Sequence, residues 1–279
     1  MSPLPLRRLA HSASLYGRSA ARVLPRGRRR GSEERLVFVV GSPRSGTTFV
    51  GSSLGAQPGF VDLDEVSPLK AAIPELAALP PHEAAPRLRR IVERVRRLAL
   101  VRHLRGVEQT PETSYVLAAA LAAYPRARAV HVVRDGRDVV CSLLERGWLG
   151  DDRTGGDDAG LPYGGHARFW VEPERAEEFA RASEATRAAW AWRRYVTAAR
   201  AAPERTHELR YEELVANPAE AAARVAAFLG SDPEPLAESF GLVHDRSAGR
   251  WRRDLDSEQV ADVEREAGAL LRELGYETG

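Results

Sequence analysis

Along the chain, short β-branched apolar runs alternate with longer stretches whose apolar residues recur at helical spacing. Arg35 to Val40 (RLVFVV), bounded by Gly41, has the unbroken apolar character of a strand covered on both faces. Thr47 to Ala56 suits a helix, and Gln57-Pro58-Gly59 ends it. Phe60 to Leu63 is a second candidate strand, leading into Asp64 and Glu65. Between Pro81 and Arg105, the residues Leu88, Ile91, Val92, Val95, Leu98 and Val101 mark the apolar stripe of an amphipathic helix. Thr113 to Tyr124 reads as a helix closed by Pro125, and Ala127 to Val133 (ARAVHVV) as another buried strand.

In the second half, Asp151 to Gly165 is rich in Gly and Asp and reads as a mobile loop. A long helical stretch from Glu172 to Ala201 follows, then a strand at His207 to Tyr211. Asn217-Pro218 opens a helix that runs to Leu229, with Gly230 as its stop. Strand, helix and strand in alternation predict an α/β fold of three layers, a central parallel sheet flanked by helices. No internal repeat interrupts the pattern. Hydrophobic residues at 43% and charged residues at 29% fit a globular chain with a sizeable core. Residues 35–279 are expected to form a single domain.

Charge changes this picture at one end. The first 30 residues hold eight arginines and no acid, so with a net charge of +2 overall the rest of the chain carries −6. Residues 1–34 are therefore expected to be a basic, solvated and poorly ordered tail, able to make weak contact with a membrane surface. Nucleic acid is not an expected partner, because arginine on the outer face of a helix is usually just solvated. Cys141 is the one cysteine, so no internal disulfide asks for an oxidising compartment, and a cytoplasmic location fits. Apolar runs such as Leu36 to Val40 and Val116 to Ala123 fall far short of the roughly 20 residues that cross a bilayer. Nothing in the sequence fixes an oligomeric state.

The sharpest chemical signal is Gly41-Ser42-Pro43-Arg44-Ser45-Gly46-Thr47-Thr48, set between a buried strand and a helix. Successive N–H groups there, with the positive end of the helix dipole, form a cradle for an anionic phosphate. The spacing is that of a nucleotide-binding P-loop, but Thr47 stands where ATPases and GTPases place lysine, and the cation sits earlier, at Arg44. A second block, Arg134-Asp135-Gly136-Arg137-Asp138-Val139-Val140-Cys141-Ser142, follows the strand ending at Val133. Arg134 then lies at the C-terminal edge of a sheet, where open α/β folds bind ligands, and Ser142 falls about two turns later, at the start of the next helix. Such a pair can grip one phosphate by charge-assisted hydrogen bonds.

These blocks resemble the nucleotide-dependent sulfotransferases, whose 5'-phosphosulfate loop commonly reads PRSGTT or PKSGTT. The resemblance extends to Tyr211-Glu212-Glu213-Leu214, where members commonly read YEDL, and to Ser247-Ala248-Gly249-Arg250-Trp251-Arg252, similar to a late Gly-x-Trp loop. It implies an enzyme with a P-loop-like fold that moves a sulfuryl group, in line and without metal, from 3'-phosphoadenosine 5'-phosphosulfate to an acceptor hydroxyl. On that resemblance Arg44, Ser45, Gly46, Thr47 and Thr48 hold the 5'-phosphosulfate, with Arg44 near the bridging oxygen. Phe49 then lies against the adenine or in the core, and Arg134 with Ser142 takes the 3'-phosphate. Tyr211 approaches the nucleotide, and Gly249, Arg250 and Trp251 close over it.

A base must take the acceptor's proton. Glu65, similar to the glutamate of the tyrosylprotein-type branch, is the first candidate, with Asp64 and Asp62 as neighbours; His166 is a weaker candidate and His131 fits a core strand. One departure stands out: where members usually read EKTP, this chain reads Glu108-Gln109-Thr110-Pro111, so an uncharged Gln109 replaces the lysine that helps the bridging oxygen. The acceptor is expected to be a small molecule, glycan or lipid. Trp148, His166, Phe169, Trp170, Trp190 and Trp192 either shape its site or pack in the core. Two rivals are a small-molecule P-loop kinase and a non-catalytic nucleotide-binding relative of the sulfotransferases.

Overall fold

β1 (Val37–Val40) forms because every one of its side chains is buried, and alternate residues serve opposite layers. Phe38 and Val40 pack with one group of helices, while Val37 and Val39 pack with another. The strand begins two residues later than the apolar run, since Arg35 is exposed and pairs with Glu33. The structure, a computed structural model, describes residues 31–150, 155–157, 159–160, 171, 173–244 and 248–276. Residues 1–30 of the expected tail, most of the Gly-rich loop, His166, Phe169 and Trp170 lie outside the described residues.

After β1 come α1 (Thr47–Gly55), β2 (Phe60–Asp64), α2 (Ser67–Ala77), α3 (Pro81–Leu98) and β3 (Arg105–Glu108). A 3-10 turn at Pro111–Val116 leads into α4 (Leu117–Ala123), β4 (Arg128–Val133) and α5 (Gly136–Arg146). Then follow α6 (Ala176–Arg181), α7 (Glu184–Ala199), β5 (Thr206–Arg210), α8 (Tyr211–Ala216) and α9 (Pro218–Leu229). The last elements are α10 (Glu234–Phe240), α11 (Trp251–Asp254) and α12 (Ser257–Glu273).

The strands make one parallel sheet in the order β2-β3-β1-β4-β5. One face is covered by α2, α3 and α4, with α5, α7 and α12 extending that side, and the other by α1, α9 and α10. This is the expected three-layer α/β architecture. Because the strands run the same way, their C-terminal ends share one edge. The chain leaves the central β1 in one direction and later crosses to β4 on its other side, and such a switch point opens a crevice for ligands.

Three local readings change. The stretch 172–201 is not one helix: it breaks after Arg181, and the Ser183 side chain caps α7 by accepting from the Thr186 N–H at 3.1 Å. Tyr211 opens α8 instead of ending a strand. Ser142 lies in the middle of α5, two turns after Arg134 but not at the helix start. β3, α2 and the helices after Leu229 have no counterpart among the predicted elements. β3 reads RGVE, and its charged ends are buried because each finds partners inside: Arg105 donates to the Leu229 carbonyl at 2.7 Å, and Glu108 accepts from Thr113 Oγ1 at 2.9 Å. α2 was hidden by the prolines at 68 and 74, the first of which occupies the tolerated first turn.

Candidate active site

At the C-terminal end of β1 the chain turns through residues 41–46 and enters α1. The Gly41 N–H donates to Ser114 Oγ at 3.1 Å, and the Ser45 N–H to the Ser42 carbonyl at 3.1 Å, which fixes the turn. Gly46 has φ 98°, and a Cβ there would stand 2.9 Å from Tyr211 Cδ2, so only glycine lets the loop and Tyr211 meet. No side chain caps α1 and no acid lies in its first turn. Its first N–H groups therefore face the cleft as bare donors with a positive dipole end behind them. Ser45 Oγ is buried with no hydrogen-bond partner among the described residues.

The second block converges on this loop from β4 and α5. Arg44 Nε donates to Ser142 Oγ at 2.9 Å, and Arg134 Nη1 donates to the Arg44 carbonyl at 3.1 Å. The Arg134 guanidinium lies over the Tyr211 ring, 4.8 Å from its centroid. Burial, then the nearby charges of Arg146 and Arg134, push the Arg44 guanidinium below its usual value. That crowding of cations is the condition under which an anion is bound most strongly. Tyr211 in turn donates its hydroxyl to the His244 carbonyl at 3.1 Å. The resulting cleft, about 390 Å³, is lined by Arg44, residues 46–49, Arg134, Ser142, Tyr211 and Arg250, with Glu145 as its one acid.

The late loop is pinned by a residue of the second block that had no predicted role. Asp138, wholly buried on α5, accepts from the Gly249 N–H at 2.7 Å and from the Trp251 N–H at 3.0 Å. Its spacing from Arg134, one helical turn, was the available signal. Trp251 is buried with the Arg137 guanidinium 3.9 Å from its ring, and Arg250 pairs with Glu145 and Asp254. Glu212, in the third block, accepts from the Asp135 N–H at 2.8 Å. Phe49 is half-buried: it lines the cleft and packs on Phe240 with ring centroids 6.1 Å apart. Trp190 and Trp192 are core residues, and Trp192 Nε1 holds the Arg134 carbonyl at 3.1 Å.

On the β2 side, Glu65 follows the strand and precedes α2. Its Oε2 accepts from Lys70 Nζ at 2.7 Å, and the same ammonium lies 3.1 Å from Asp157 Oδ2. Although burial alone would lower it, Glu112, Glu65 and Asp157 together hold Lys70 above its usual pKa. Asp62 accepts from Ser52 Oγ at 2.9 Å, the Asp64 N–H at 2.8 Å and Gln109 Nε2 at 3.0 Å, and so organises the bulge at the end of β2. Gln109 is buried against α1, where a Cβ on Gly51 would stand 2.6 Å from its Oε1. Burial pushes Glu108 up to about 7. His131 is buried in β4 and burial lowers its pKa, as expected of a core histidine. Among the described residues no group of three or more His, Cys, Asp or Glu is placed to hold a metal ion.

A model of the Sulfotransferase family matches residues 76–235, more than half of the chain. The chain belongs to the sulfotransferase family. The matched span includes the second and third blocks but begins after the loop at 41–48 and ends before Gly249, so the outer blocks rest on their geometry. Among solved structures, the fold is similar to the sulfotransferase domain from the Synechococcus PCC 7002 olefin synthase, with a TM-score of 0.53, 17% identity, and coverage of 91% of this chain and 99% of that one. It is similar also to the sulfotransferase domain from the curacin biosynthetic pathway (TM-score 0.53, 16% identity, 89% and 100% covered). A third is sulfotransferase STF9 from Mycobacterium avium (TM-score 0.53, 15% identity, 97% and 86% covered). At these identities the likeness establishes the sulfotransferase fold and no more. No curated protein sequence matches the chain. No described helix of this sulfotransferase-family chain is long and apolar enough to cross a membrane.

Proposed function

We propose that the chain transfers a sulfuryl group from 3'-phosphoadenosine 5'-phosphosulfate to an acceptor hydroxyl. The observation that carries this reading is contact among four sequence blocks that are far apart in the chain. Arg44 reaches Ser142, Gly46 meets Tyr211, and Asp138 holds Gly249 and Trp251. A cleft with three arginines and a bare helix N-terminus suits a ligand that carries anionic groups at two ends. Residues 44–48 would hold the 5'-phosphosulfate, Arg134 and Ser142 the 3'-phosphate, and Phe49 and Tyr211 the flat part of the nucleotide. Arg250 and Trp251 would border the bound donor from the late loop.

In the transfer, Glu65 takes the acceptor's proton as the acceptor oxygen bonds to sulfur and the bond from sulfur to the bridging oxygen breaks. The leaving 3',5'-diphosphoadenosine keeps that oxygen and its electron pair, and Arg44 with the loop N–H groups stabilises the charge. For this Arg44 must release Ser142 when the donor binds, leaving Ser142 to the 3'-phosphate. Glu65 Oε1, which has no partner among the described residues, is the oxygen free to receive the proton. The reading uses no metal.

A second reading, binding without turnover, draws support from Gln109, whose amide is committed to Asp62 at the position of the usual lysine. Titration calorimetry of the intact protein with 3',5'-diphosphoadenosine and with ADP tests the donor. The 3'-phosphate should strengthen binding by about a hundredfold. Equal affinities would sink the proposed site, and a preference for ADP with magnesium would indicate a kinase. Tight, selective binding with no sulfate delivered to any hydroxyl acceptor would establish the second reading.

A further inference from the structure

The edge of the sheet opposite the cleft carries a feature that the transfer reaction does not use. Arginines mark the starts of four neighbouring strands: Arg105 at β3, Arg35 before β1, Arg126 and Arg128 at β4, and Arg205 before β5. They line one cavity of about 720 Å³ in which Glu204 is the one acid. Arg105 is buried and has no ion pair among the described residues; burial, then Arg35, push its guanidinium down to about 10. Arg205 Nη1 spends itself on the Leu121 and Pro125 carbonyls, and Arg128 lies over the Phe228 ring at 4.9 Å. Arg126 and Arg128 are exposed.

Just before Arg105, the end of α3 and the turn that follows it present Leu98 and Leu100, 47% and 57% exposed. Leu100 has φ 57°, a backbone conformation that leucine rarely adopts, and it holds an apolar side chain out in water. The same turn is tied to the beginning of the described chain: the Glu33 N–H donates to the Arg102 carbonyl at 2.8 Å, and Arg96 Nη2 to the Glu33 carbonyl at 2.7 Å. The strand-start arginines and the two exposed leucines thus belong to the same end of the fold, Arg105 opening the strand that follows the turn presenting Leu100.

We infer that this edge docks on an anionic lipid surface, with the arginine-lined cavity taking phosphate headgroups and Leu98 and Leu100 entering the apolar boundary. Arginines beside exposed leucines match the two halves of a lipid interface, charged outside and apolar within. A nucleic acid would find phosphate partners here but nothing for the leucines to do. Docked in this way, the cleft at the other edge stays open to solvent. None of this depends on the proposed transfer reaction.

Co-sedimentation of the full chain with vesicles decides it, using phosphatidylcholine alone or mixed with phosphatidylglycerol. Binding is expected only to the mixed vesicles and should weaken at raised salt. Arg126→Gln with Arg128→Gln, both exposed, should weaken it on the order of thirtyfold, at ~1 kcal/mol for each charge. Leu98→Ser with Leu100→Ser should weaken it on the order of tenfold while the salt dependence stays. Three outcomes would overturn the inference: equal binding to both vesicles, unchanged binding by both double variants, or binding to a duplex DNA probe but to neither vesicle. Thermal melting of each variant checks that it is folded.

Discussion

The cleft beside β4 and the carboxylate cluster beside β2 solve opposite electrostatic problems. Beside β4, Arg44 and Arg134 crowd together with Arg146 near, while Glu145, the one acid of the cleft lining, is engaged by Arg250. Beside β2, Glu65, Asp157 and Glu112 surround Lys70, the only lysine in the chain. One side crowds arginines together, with Asp138 near Arg134 and Glu145 held by Arg250; the other gathers three carboxylates around one ammonium. A site whose like charges are held together by the fold is built for a ligand of the opposite sign. A site whose charges are already paired is built to hold one of them in place.

If Glu65 is the base, its loss should produce the largest effect. Glu65→Gln keeps the shape and one acceptor oxygen for Lys70, but it cannot take a proton. Turnover should fall by about 10²–10⁴-fold while 3',5'-diphosphoadenosine binds as before. Single-turnover kinetics set beside calorimetry would separate the two, and an active variant would move the base elsewhere. Arg134→Ala breaks the other side. Loss of a charged donor to phosphate should weaken binding of 3',5'-diphosphoadenosine by about a hundredfold, with little change for ADP. If both nucleotides weaken equally, Arg134 serves the loop by holding the Arg44 carbonyl and not the 3'-phosphate.

The same contrast explains what the sequence made legible. The β4 side is written in contiguous blocks, because a strand end followed by a loop and a helix places Arg44, or Arg134 and Ser142, by local geometry alone. The three-layer fold was readable for the same reason: β1 is an unbroken apolar run, and β4 (RAVHVV) is apolar apart from its exposed first residue and the buried His131. The β2 side is assembled from side chains whose partners are remote. Lys70 reaches Asp157 across 87 positions, and Gln109 reaches Asp62 across 47, so neither pairing leaves a local pattern. Asp138 shows the intermediate case. It sits inside a recognisable block, yet its bonds to Gly249 and Trp251 become visible only when the late loop is folded beside α5. β3 was hidden because its buried charges are satisfied by Leu229 at one end and by Thr110 and Thr113 at the other, and hydrophobic periodicity cannot register a strand that is polar at both ends.

Lys70 offers the finest test of the neutralised side. Lys70→Met keeps most of the side-chain volume on α2 but removes the charge that Glu65, Asp157 and Glu112 share. Removing one member of a buried ion pair leaves the others uncompensated, so the fold should lose about 3 kcal/mol near neutral pH, measured by denaturant unfolding. The sign of the pH dependence distinguishes this from a packing defect. Without Lys70 the neighbouring carboxylates repel one another uncompensated, a cost that proton uptake removes. The variant's deficit should then shrink as pH falls from 8 towards the carboxylate range, whereas a packing defect would stay constant. Donor affinity should hardly change, because the β4 side keeps its arginines. A variant that loses donor binding as strongly as Arg134→Ala does would show that the two sides are not independent.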